Sequence, residues 1–252
     1  MEWFDLIDEI IVTTLTVPLY FLLKPGKTTS KKNGIILLIS FAIYLIFTLI
    51  MSIYVGNIAE YMNAEYATRY LFLQNISLLI GFVGTFMIML FTINNRDKMI
   101  AILVISKIIL LIFFDIVLIP KFKDAGASYS EIIVNLLIAI IALIIGFKNN
   151  IIALGKTKLD FIKDWIRIGV FSGVSIFLDN FIYAIMICKM VNKVSESGNY
   201  WIANNFIWGW LLVPVTCMVE IIKKNDLKKL DIKNAWRYAA GIILIWLITM
   251  PF

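Results

Sequence analysis

Histidine is absent from this sequence of 252 residues, and the absence removes several chemistries at once. An HExxH metalloprotease needs two histidines on one helix face, and a Ser-His-Asp hydrolase needs one as its general base. Cysteine is nearly as scarce. Cys188 and Cys217 are the only two, each stands alone in an apolar run, and neither a CxxC pair nor metal-ligand spacing is present. A disulfide scaffold and a zinc site are unsupported, both thiols are expected to be free, and no cofactor is expected. No nucleophile stands beside a base, so an enzyme is not expected.

Charge is also sparse. Only 16% of residues are charged and 61% are hydrophobic, where soluble domains average about 25% and about 45–50%. With a mean hydropathy of +0.91, this is the composition of an integral membrane protein. The opening MEWFDLIDE has four acids and no basic residue, so it lacks the positive start of a secretory signal peptide. The net charge of +6 does not require nucleic acid as a partner, because its placement along the chain accounts for it.

Eight apolar segments approach the ~20 residues that a bilayer crossing requires: 10–23, 34–54, 71–93, 100–119, 132–147, 168–191, 201–222 and 238–252. They predict an all-α membrane protein, a polytopic bundle of about eight transmembrane helices. Three blocks follow, with helices in 1–147, a connection over 148–167 and further helices in 168–252. The first segment is short, and extending it back to Asp5 brings in three acids. KPGKTTSKKN at 24–33 reads as a basic loop. Pro120 is expected to end the fourth helix, leaving 120–131 as a loop. DFIKDWIR at 160–167 is expected to lie as an interfacial amphipathic helix with Trp165 at headgroup depth.

Lysine and arginine test this layout independently of hydropathy. The connections at 24–33, 94–99, 148–167 and 223–237 hold 17 of them, and the intervening connections, with Lys189, hold 5. The positive-inside rule makes the basic loops cytoplasmic and puts the acidic amino terminus outside. The expected location is a bacterial cytoplasmic membrane. Lys107 and Asp115, deeper in the fourth segment, are expected to snorkel and to anchor at the interface.

Asp179 stands almost halfway along 168–191, roughly 17 Å from either end of a helix there, too far for a short side chain to snorkel. An aspartate at that depth costs about 2.5–3.5 kcal/mol, to be recovered by pairing, hydration or protonation. Ser172, Ser175, Asp179 and Tyr183 follow at spacings of three, four and four, which puts them on one helix face. The reading is a polar stripe facing a cavity, with Gly169 and Gly173 beside it as a small-xxx-small surface for close packing. The plainer alternative is that Asp179 makes only an interhelical hydrogen bond or salt bridge. Pro214, near the middle of 201–222, breaks or kinks its helix and leaves carbonyls for a cavity, or kinks it without function.

GVFSGVSIFLDNFIYAIMICKMVNKV at 169–194, followed by NYWIANNFIWGWLLVPV at 199–215, resembles the seventh and eighth helices of the multidrug and toxic compound extrusion (MATE) transporters. AEYATRYLFLQNISLLIGFVGTFM, LIFFDIVLIPKF and DAGASYSEIIVN resemble the passage from the third helix of that family to the sixth. The resemblance implies an incomplete twelve-helix fold of two lobes around a V-shaped cavity, of which this chain supplies helices two through nine. The first helix, the last three and the acidic residues that the family carries there have no counterpart, and the chain is expected to be a fragment. Asp179 matches the acidic residue of the seventh helix in the cation site of many members.

The function this implies is export of organic, chiefly cationic, compounds driven by protons or sodium. Asp179 would bind the ion, and Ser172, Ser175, Asn180, Tyr183 and Pro214 would line the cavity. The expected partners are the bilayer, a small organic substrate and a complementing chain that supplies missing helices. Two alternatives stand beside it. One is a lipid-linked saccharide flippase of the same superfamily, which needs cavity cations to hold a pyrophosphate. The other is a non-transporting membrane subunit or fragment.

Overall fold

A backbone inside hydrocarbon must satisfy its own polar groups, and the four most apolar runs do so as long helices. The computed structural model describes residues 2–23, 30–182 and 232–249, with a few single positions between 193 and 215. Its helices are α1 (Glu2–Leu22), α2 (Ser30–Tyr61), α3 (Thr68–Ile93), α4 (Asp97–Phe122), α5 (Asp124–Lys148), α6 (Ile162–Ile182) and α7 (Ile232–Thr249), with a short 3₁₀ turn at Glu65–Ala67. Among the described residues there is no strand. Among the described residues four helices, α2 to α5, are long and apolar enough to cross a membrane. The expected segment at 201–222 lies outside the described residues, apart from a few single positions.

Residues 1–190 form one compact unit and 191–252 a second. Within the first, α3 is the central helix, in contact with α1, α2, α4 and α5. Its Phe82, Phe86, Met87, Leu90 and Phe91 are fully buried against Leu15 and Leu19 of α1, Tyr44 of α2 and Val134 and Ala142 of α5. In α4, by contrast, only Leu103 is buried. Ile105, Ile109, Ile112, Phe113 and Ile116 of α4 all lie exposed, an apolar surface of a kind that soluble proteins rarely leave to water. This inside-out pattern fits an integral membrane protein.

Asparagine ends three of these helices in the same way. Asn63, Asn95 and Asn150 have φ of 52°, 54° and 53°, the left-handed region that asparagine enters most readily after glycine. The residue after each donates its N–H five residues back, Ala64 to Ala59 (2.8 Å), Arg96 to Phe91 (2.9 Å) and Ile151 to Gly146 (2.9 Å). At the ends of α3 and α5 the preceding asparagines add a side-chain bond, Asn94 Nδ2 to Leu90 O and Asn149 Nδ2 to Ile145 O, both 2.8 Å. The NN pairs at 94–95 and 149–150 are thus paired stop signals.

Two expectations are overturned. Pro120 lies inside α4, and the loop expected at 120–131 shrinks to a reversal at Lys123, whose φ is 53°. The chain turns this tightly because Gly126 sits directly against the Leu118 carbonyl and Ile119. As a result α5 gains two turns and extends about 37 Å, a full crossing. Trp165 belongs to no separate interfacial helix, because residues 162–182 form one continuous helix, α6. It is 4% exposed, in the first turns of α6, and its Nε1 donates to the Leu15 carbonyl of α1 at 3.1 Å.

The segment between α5 and α6 is pinned to the start of α2. Ala153 N donates to Ser30 O at 2.9 Å and Asn33 Nδ2 to Ile151 O at 2.8 Å. Lys32 Nζ lies 4.6 Å from the centre of the Phe161 ring.

Candidate functional site

The helix that carries Asp179 is fixed by its seam with α1. Trp165, Gly169 and Gly173 recur every four residues along one stripe of α6, and all three are buried. A β-carbon at Gly169 would run into the Thr14 carbonyl oxygen, and one at Gly173 into Thr14 Oγ1. The small-xxx-small surface read from the sequence is therefore a close-packed joint. Going up α6 from Trp165 to Gly173, the α1 partners descend from Leu15 to Thr14 and Ile10, so the two helices run antiparallel. Asp179 lies six residues beyond Gly173, about 9 Å along the axis, in the direction of Asp8 on α1. The register brings the backbone at 179 to within about one helical turn of the level of Asp8.

Of the residues assigned to the polar stripe, Ser172 and Ser175 have different surroundings. Ser172 is half-buried at the edge of the seam, and its Oγ donates to Ile168 O at 3.0 Å. Ser175 is exposed. Asp179 and Asn180 occupy the last turn of α6, with Asn180 seven residues past Gly173 and so in line with the seam. Their side chains, and Tyr183, lie outside the described residues. Pro214 is a half-buried helical position in the second unit.

A second carboxylate sits on α1. The Tyr44 hydroxyl of α2 donates to Asp8 Oδ1, and Tyr44 is only 2% exposed. The tyrosine is held by the Phe82 ring, 5.1 Å away between centres, and by Phe47 at 6.3 Å. Tyr44 is fourteen residues into α2, about 21 Å along a helix of about 48 Å, so Asp8 is bound near the middle of a spanning helix. Glu9 and Lys107 are close enough for their charges to act on Asp8. Lys107 closes no ion pair with it among the described residues. In the sequence, Asp8 is one of four acids before an apolar run, and nothing there distinguishes it from an exposed terminus.

A third polar cluster joins α3 to α5, which run parallel. Glu131 Oε2 accepts from Gln74 Nε2 at 2.7 Å and from Ser77 Oγ at 3.3 Å. Asn135 Nδ2 donates to Ser77 Oγ at 3.0 Å and to Ser77 O at 3.2 Å. Beyond it Gly81 leaves room for the amide, since a β-carbon there would lie 3.0 Å from Nδ2. On the other side of α3, Asn75 Nδ2 donates to Thr48 O and Ser52 Oγ of α2, both at 2.9 Å. Gln74 Oε1 and the hydroxyls of Ser128 and Ser130 are buried without a hydrogen-bond partner. The spacings 74, 77, 81 and 128, 131, 135 are matching helical stripes, and this signal was available in the sequence. Placing 120–131 in a loop hid it.

No family model, curated protein or solved structure matches the chain. The geometry alone therefore describes the site. It contains a tyrosine-bound carboxylate on α1 and an aspartate position on the helix packed against α1. A separate α3–α5 network holds a glutamate between two donors. A carboxylate in a spanning segment is stabilised by a hydrogen-bond donor, a counter-charge, a proton or a cation, and Asp8 and Glu131 each have a neutral donor within reach.

Proposed function

We propose that the chain is a cation-coupled membrane transporter, or part of one, which exports organic and chiefly cationic compounds in the manner of the MATE family. Asp8 and Asp179 would carry the proton or sodium ion, and loading or release would alter the cost of closing the α1–α6 region around them. One observation above all supports this reading. The Tyr44 hydroxyl holds the Asp8 carboxylate at mid-height of α2, and α1 is seamed to the helix on which Asp179 lies. An ionisable pair of positions on packed helices at one level is costly in lipid unless an ion or water is there to use it.

The test is efflux of a cationic dye from cells expressing the chain, under an imposed proton gradient and then a sodium gradient. Asp179→Asn is expected to abolish gradient-driven efflux while the protein reaches the membrane at its normal level. Efflux equal to that of the unmodified chain would remove Asp179 from the mechanism. Failure of the unmodified chain to move dye under either gradient would favour a non-transporting subunit.

A further inference from the structure

The ends of α3, α4 and α5 near residues 65–70 and 122–127 enclose an open cavity of about 520 Å³. Its walls include Tyr66, Arg69, Tyr70, Phe122 and Lys123. Three apolar spans terminate here, at Glu65, Phe122 and Ala125, so the cavity lies where hydrocarbon gives way to headgroups. Aromatic and cationic side chains are the chemistry of that layer. Phe122 is braced edge-on by Tyr129, 5.6 Å between ring centres at 86°, and the Tyr129 hydroxyl accepts from Arg69 Nη2 at 3.2 Å.

Among the described residues Arg69 makes that one hydrogen bond, to a neutral hydroxyl, and neither it nor Lys123 has an acidic partner. Lys123 is held at φ 53° and ψ −131°, a conformation that glycine adopts easily and lysine does not. Strain of this kind at a cavity wall is a recurrent feature of ligand sites. The two cations repel an organic cation, which sets this cavity apart from any path for the proposed cargo. An anion suits it, and the apolar remainder of the wall together with the exposed Ile112, Phe113 and Ile116 of α4 suits an attached acyl chain.

We propose that this cavity binds an anionic phospholipid, with the phosphate between Arg69 and Lys123 and the acyl chains along the exposed face of α4. The assignment does not depend on the transport reading.

The purified full chain is placed in phosphatidylcholine nanodiscs containing phosphatidylglycerol as the minor lipid, and retained lipid is counted by native mass spectrometry. Phosphatidylglycerol is expected to be retained selectively, with roughly a five-fold loss for each charge removed in Arg69→Gln and Lys123→Gln. Lys123→Arg, which keeps the charge, is expected to retain it and serves as the folding control. Added inorganic phosphate is expected not to displace the lipid, because it lacks the chains. Equal retention in the double Gln variant, equal retention of phosphatidylcholine, or displacement by inorganic phosphate would each overturn the assignment.

Discussion

Gly173 of α6 meets Thr14 of α1 with no space for a β-carbon: the added atom would overlap Thr14 Oγ1, whose hydroxyl donates to Ile10 O at 2.7 Å. One turn away Gly169 meets the same residue, but there the obstacle is the Thr14 main-chain oxygen. That difference makes the seam testable. Gly173→Ala and Gly169→Ala are each expected to destabilise the α1–α6 joint by about 1–3 kcal/mol. Adding Thr14→Ala should rescue Gly173→Ala and leave Gly169→Ala unrescued, as read by denaturant unfolding of the purified chain in detergent. Rescue of both would show that the helices approach less closely than described.

The Asp8–Tyr44 bond predicts a coupled pair. Tyr44→Phe removes a donor from a partly buried carboxylate and should cost about 1–3 kcal/mol. Asp8→Leu combined with Tyr44→Phe removes both polar partners and should be less destabilised than additivity predicts, a coupling of about 1.5–3 kcal/mol for a hydrogen bond to a charged group. Gradient-driven efflux is expected to be lost in Asp8→Asn. A double-mutant cycle with no coupling would remove the bond from the account.

At the α3–α5 joint, Glu131→Gln keeps an oxygen for Gln74 Nε2 and Ser77 Oγ, and it should be tolerated within about 1 kcal/mol. Glu131→Leu strands the Gln74 amide in the interior, at about 1–3 kcal/mol. Gln74→Leu added to Glu131→Leu should recover most of the loss. Thermal unfolding of the three variants separates these outcomes. Equal stability of the Gln and Leu variants would mean that Glu131 carries no structural bond.

The loop between α5 and α6 is held down by a glycine contact. A β-carbon at Gly34 would overlap the Ala153 carbonyl oxygen, so Gly34→Ala should lift residues 149–161 away from α2. Opening by about 1 kcal/mol or more is a roughly five-fold faster tryptic cut at the exposed Lys156 and Lys158. Unchanged cleavage would show that the contact does not restrain the loop.

Much of the helical layout is legible in the sequence. The segments 34–54, 71–93, 100–119 and 132–147 each lie inside a helix of spanning length, because hydropathy is a sum over neighbours along the chain. The glycine pair at 169 and 173 is legible as well, since small residues four apart mark one helix face whatever lies opposite. Pro120 misleads for a local reason. A proline near a helix end removes one N–H without stopping the helix, and Gly126 permits a reversal so tight that no loop is needed.

The apolar runs, their spacing and the asparagine pairs at 94–95 and 149–150 are matters of nearest neighbours, and the sequence by itself determined that this chain forms membrane-length helices and where several of them stop. Only the tertiary structure decided that Trp165 is a core residue against α1, that Tyr44 reaches Asp8 and that Gln74 reaches Glu131. Those partners are separated by 150, 36 and 57 residues. Which helix faces meet depends on the packing of several helices at once, and no local pattern of hydropathy specifies that.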